Sequence, residues 1–260
     1  MKDFKGMKYI HRFDTWENFD AVYFGSNYIQ PWVSVVDEES NRDRLAYNKL
    51  NANGHGYVDL GLPSGNYWAT CNVGASSPEG LGGRFAYGEV DTKQSHTQSN
   101  YKWWDASTSA MTRYGIDGDE ILSFEDDVAH VIMGGDWYVP TEDDARELIT
   151  YTNSAQTTVN GVTGWTFTSK SDSTKSIFLP GLGWEREGNV YNNQGQYPEF
   201  DMWVSTMNRQ YSGTLMALAF RACNSYANIL TTDVYSNGKY VGTPYAGYMC
   251  RGVLKLLQLK

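Results

Sequence analysis

Residues 57–75, YVDLGLPSGNYWATCNVGA, constrain the fold more than any other stretch of the chain. A short apolar run is broken by Pro63-Ser64-Gly65 and resumes with aromatic and small residues. The pattern predicts a strand, a tight turn and a second strand. Pro63 presets φ at the first turn position, and Gly65 can enter the left-handed region. The stretch holds no nucleophile with a base, no phosphate cradle and no metal-ligand set. It specifies a scaffold, and function is sought on the surface that the scaffold presents.

The 260 residues suit one large domain, or one domain with an appendage, and 41% hydrophobic content supports a real core. A net charge of −9 argues against tracking of nucleic-acid phosphates. The 19 tyrosines and 9 tryptophans exceed what turns need, so most belong in a β-rich core and the remainder suit sugar or protein recognition. Cys71, Cys223 and Cys250 have no metal-ligand spacing and read as buried free thiols, with one disulfide as the alternative in an oxidising compartment. No run is long enough to span a bilayer, and the amino terminus has neither an apolar export segment nor a lipid-attachment cysteine, so membrane insertion is not expected.

Residues 1–50 differ in character from 51–260. Asp14 and Glu17 fit a helix start, and Trp16, Phe19, Val22 and Tyr23 recur at helical spacing to about residue 24. Tyr28 to Val36 reads as strand after Pro31, and 51–56 as a linker or hairpin turn. Trp16, Phe19 and Trp32 form an apolar set too small to be a core alone, which points to attachment or oligomerisation. Beyond residue 56, short strands and long loops surround two predicted helices. The first, 124–133, has Ser123 as cap and stops at Gly134-Gly135. The second, 141–151, has Thr141 as cap and Asp144 at its third position. Short strands with two helices predict an α+β domain.

A series of words appears in order. Residues 57–75 are followed by Gly82-Gly83-Arg84-Phe85-Ala86-Tyr87-Gly88-Glu89-Val90 and Tyr101-Lys102-Trp103. Asp126-Asp127, Gly134-Gly135-Asp136-Trp137-Tyr138-Val139-Pro140-Thr141, Ser176-Ile177-Phe178-Leu179-Pro180 and Trp203-Val204-Ser205-Thr206 come next. Together they resemble the Fibrobacter succinogenes major paralogous domain, common in gut Bacteroidetes and their phages. The closing YMCRGV keeps the family's Arg and final Val but places Cys250 where the family has Val. The resemblance covers roughly 51–260 and implies a C-type-lectin-like fold with Trp68, Trp137, Phe178 and Leu179 in the core. Gln30-Pro31-Trp32-Val33-Ser34 and Arg44-Leu45-Ala46-Tyr47-Asn48-Lys49 resemble an amino-terminal module of structural proteins in Bacteroidales (crAss-like) phages, which implies attachment to a virion.

Catalytic groups are not expected. His11, His55, His96 and His130 share no paired spacing and read as solvated or capping residues. The acidic clusters at 117–120, 125–127 and 142–144 lack a calcium-loop pattern, and two of them sit at predicted helix starts, where carboxylates offset the dipole. No metal and no cofactor are expected. Pro140-Thr141-Glu142-Asp143-Asp144 is similar to a word of the formylglycine-generating enzymes, but Cys250 lacks an evident partner cysteine. That leaves a degenerate enzyme as the distant alternative.

The last third crowds Tyr, Trp and Asn, including Trp184 and Tyr191. Tyrosine supplies contact area at low entropic cost and asparagine supplies adaptable hydrogen bonds. The expected ligand surface includes Tyr191, Asn193, Trp203, Asn208 and Tyr211. The expectation is a virion structural protein, a fibre or decoration protein that contacts other virion proteins through its amino-terminal module. Its lectin-like domain would bind a host-surface glycan or protein without calcium. A homo-oligomer is expected, a trimer being the common fibre arrangement. A cell-surface or fimbrial adhesin that has lost its signal peptide is the alternative.

Overall fold

A computed structural model describes residues 23–24, 27–28, 52–114, 121–191, 199–211, 214–223 and 241–255. The chain divides into two compact units, Met1–Gly54 with Leu257–Lys260, and His55–Leu256. In the first unit, β1 (Tyr23–Phe24) and β2 (Asn27–Tyr28) pair antiparallel. The expected helix at 14–24 gives way to strand at Tyr23–Phe24, and its earlier residues, with Trp16, Phe19 and Trp32, lie outside the described residues.

The second unit is α+β. It opens with β3 (Tyr57–Val58) and β4 (Tyr67–Asn72), joined by the predicted turn, in which Gly65 N–H donates to Leu62 O at 2.9 Å and Gly65 takes φ +73°. The hairpin β5 (Trp104–Asp105) and β6 (Ala110–Met111) leads to a 3-10 turn at Phe124–Asp126 and the helix α1 (Val128–Met133). β7 (Trp137–Tyr138) and α2 (Glu142–Tyr151) follow. Next come β8 (Thr152–Val159), β9 (Val162–Ser169) and β10 (Ser176–Pro180), then β11 (Trp184–Arg186) and β12 (Asn189–Tyr191). β13 (Glu199–Tyr211), β14 (Thr214–Cys223), β15 (Val241–Gly242) and β16 (Arg251–Leu254) complete the unit.

The four-stranded antiparallel sheet β3-β4-β16-β7 brings the first and last strands of this unit together, with Val253 opposite both Trp68 and Tyr138. β10-β9-β8 and β13-β14-β15 form two further antiparallel sheets. Their inner faces and α2 enclose one core built around Trp68, Leu148, Phe167, Leu179, Phe200, Met202 and Phe220. All four residues expected in the core, Trp68, Trp137, Phe178 and Leu179, are buried.

Helix α2 starts as its sequence predicts. Thr141 accepts from Asp144 N–H, and the Asp144 carboxylate accepts from Thr141 N–H in return. The predicted helix 124–133 is instead split at Asp127. This carboxylate caps α1 by accepting from His130 N–H at 3.0 Å and also accepts from Val139 N–H. Holding the β7 end and the helix start together needs an extended residue at 127, so the preceding turn cannot continue as α-helix. The strands also exceed expectation, since β8, β9, β13 and β14 run 8, 8, 13 and 10 residues.

Arg251 is fully buried and donates to Ala69 O at 3.0 Å and Phe178 O at 2.8 Å, tying β16 to β4 and β10. Desolvation pulls its guanidinium down to about 9.

Candidate binding surface

The hairpin β11–β12 presents a stacked aromatic pair, Trp184 and Tyr191, of which Tyr191 is exposed. Its register sets Trp184 opposite Tyr191, Glu185 opposite Val190 and Arg186 opposite Asn189. Directly opposed residues on an antiparallel pair project to the same face, so the two aromatic side chains meet. Their rings stack at 4.2 Å with an interplanar angle of 15°. The Arg186 guanidinium carbon stands 5.3 Å from the Trp184 centroid and 6.0 Å from that of Tyr191. Val190 and Tyr191 are exposed, and Trp184 and Arg186 half-buried.

Alternation along β11 sends Glu185 the other way, into the protein. Its carboxylate accepts from the backbone N–H of His96 at 2.9 Å and from Gly188 N–H at 2.7 Å, and is hydrogen-bonded to His96 Nδ1. Two backbone bonds exchanged between Glu185 and Gly247 fix the same strand to the carboxy-terminal segment. A Cβ on Gly247 would collide with the His96 ring, so the close approach requires glycine there. The two-residue turn places Glu187 at φ +53° and Gly188 at φ +76°, the backbone of a tight hairpin.

Behind this face the aromatic contacts continue inward. Trp184 meets Tyr248 edge-on at 5.7 Å, and Tyr248 stacks on Trp203 at 4.1 Å. Trp203 is 1% exposed, and its indole N–H donates to Phe85 O at 2.7 Å. The expectation that Trp203 lies on a ligand surface is therefore corrected: it is a core residue that supports the surface from below through Tyr248. Tyr191 is on the surface, as expected. Asn193 lies outside the described residues. Asn208 and Tyr211 lie on β13, opposite Met216 and Thr214. Trp184 and Arg186 were missing from the expected set. The signal that could have found them is the alternation of Trp184, Arg186, Asn189 and Tyr191 about the Glu-Gly turn.

The groups weighed for catalysis have local roles. His55 meets the Trp137 ring edge-on, His130 packs on Phe124, and His96 holds Glu185. Asp126 pairs with Lys102 at 2.9 Å and Arg113 at 2.6 Å and accepts from the Tyr114 hydroxyl. Glu142 pairs with Arg146, and Asp144 caps α2. Cys250 is buried, and desolvation pushes its thiol well above the ordinary range. Among the described residues no group of three or more His, Cys, Asp or Glu could hold a metal ion, and no helix is long and apolar enough to cross a membrane. Comparisons with known protein families, with curated proteins and with solved structures gave no match.

Proposed function

We propose that the larger unit is a C-type-lectin-like recognition domain and that the β11–β12 hairpin is its ligand surface. The observation that carries this reading is the stacked Trp184–Tyr191 pair beside Arg186, displayed on a hairpin that Glu185 fixes from below. Aromatic faces and edges cover the apolar side of a pyranose or a peptide side chain, and the guanidinium supplies donors to hydroxyl or carboxylate oxygens. Pre-organisation by the buried carboxylate lowers the ordering cost of binding. The lectin-like fold itself rests on the ordered words from residue 57 onward, with which the α+β class agrees.

The same words, with the amino-terminal module, support a virion structural protein of a Bacteroidales phage. In this reading residues 1–50, with Trp16, Phe19 and Trp32, attach the chain to other virion proteins, and the larger unit binds a host-surface glycan or protein. No catalytic step and no cofactor are part of it. Screening the full chain against host-derived glycans and whole host cells, with and without chelator, tests it. Binding that persists in chelator supports the reading, and absence of binding to either ligand class removes it.

A further inference from the structure

We propose that β8 is the edge through which two copies of this chain associate, strand against strand and antiparallel about a two-fold axis. β8 is the outer strand of β10-β9-β8 and holds continuous register with β9, from Thr152 opposite Ser169 to Val159 opposite Val162. Among the described residues no strand pairs with its outer side. An edge strand leaves a row of N–H and C=O groups open to another chain. Proteins ordinarily guard such edges with charge, proline, a bulge or a cover. β8 reads Thr-Asn-Ser-Ala-Gln-Thr-Thr-Val, with no charged residue, no proline and no register shift. Asn153, Ala155, Gln156 and Thr158 are exposed.

The charge distribution selects a second copy as the occupant. The chain carries −9, so two copies repel one another over most of their surfaces. Along the eight residues of β8 they meet without a single like-charge contact. A charged peptide, by contrast, finds no counter-charge on this strand. Antiparallel self-pairing centred between Ala155 and Gln156 sets Ser154 opposite Thr157 and Asn153 opposite Thr158, polar pairs that are favourable across strands. The inner side of the hairpin already does this, with the hydroxyls of Thr157 and Thr166 at 2.6 Å and those of Thr158 and Thr163 at 3.1 Å. A two-fold contact uses the same patch on both copies and closes on itself, so the product is a dimer rather than a filament. It merges two three-stranded sheets into one continuous sheet. It stands independently of any ligand at β11–β12.

Sedimentation velocity of the full chain across the micromolar range tests the proposal. The expected result is a concentration-dependent dimer. Ala155→Lys with Gln156→Lys, both at the middle of the strand, should weaken it by about tenfold through like-charge contact across the axis. The matching Ala155→Glu and Gln156→Glu chain should do the same, and mixing the lysine and glutamate chains should restore the dimer. That rescue also shows that both variants fold. A wild-type chain that stays monomeric, an oligomer whose mass ignores the substitutions, or a mixture that stays monomeric overturns the proposal.

Discussion

The carboxylate of Glu185 is hydrogen-bonded to both the backbone N–H and the ring Nδ1 of His96, 89 residues earlier in the chain, and both side chains are buried. The pair joins the loop before the 3-10 turn at Gln98–Asn100 to the strand that carries Trp184 and Arg186. The exposed face of the hairpin is thus held by a buried hydrogen-bonded pair on its hidden face. Removing the carboxylate leaves the backbone N–H groups of His96 and Gly188 without their acceptor, so Glu185→Ala should cost roughly 1–3 kcal/mol in denaturant unfolding. It should also lower any affinity carried by Trp184 and Tyr191.

The turn of the same hairpin is open to improvement. Glu187 sits at φ +53°, which Asn adopts more readily than Glu. Glu187→Asn should raise stability by about 0.5–1 kcal/mol, because the Asn-Gly pair suits the left-handed backbone of both turn positions. Chemical denaturation of the two proteins measures the difference.

Trp137 pairs with Leu254 across β7 and β16 and is fully buried. Trp137→Ala should cost about 3–5 kcal/mol through lost burial and the cavity left behind. For a domain of this size that lowers Tm by about 10 °C or more, measurable by calorimetry.

Much of the fold was legible where the signal is local. The Pro63–Gly65 turn and the Thr141–Asp144 cap depend on residues within one turn of each other, and both form as read. The Asn160-Gly161 hairpin, with φ +47° and +83°, carried an equally local signal for the long β8–β9 pair. What was not legible depends on distant partners. Trp203 reads as a loop-flanked surface aromatic until Tyr248 covers it. Glu185 reads as one more acid in a turn until His96 arrives beneath it. Asp127 looks like a residue inside a helix, yet its bonds to Val139 N–H make it the break.

Asp127 also predicts a pH dependence. Burial raises its carboxyl pKa despite the hydrogen bonds it accepts. The folded chain therefore takes up this proton more readily than the unfolded chain does. The resulting stabilisation is fully present below the unfolded pKa and is lost as pH rises through the folded one. Asp127→Asn removes it, so the stability of the native chain relative to this variant should increase as pH falls into the acid range. Paired urea titrations across pH measure it, and a difference that stays flat or shrinks on acidification contradicts the assignment.

The central claim, that the stacked pair on β11–β12 is the recognition surface, is tested most directly by host-cell adsorption of the full chain carrying Trp184→Ala and Tyr191→Ala together. Trp137→Phe, in the β3-β4-β16-β7 sheet, serves as a core control, and the Tm of each protein is measured alongside. The account predicts a loss of at least about tenfold in adsorption for the double variant, since exposed aromatic anchors carry much of the energy at such a surface, with its fold retained. Adsorption by the folded double variant equal to that of the native chain would contradict it.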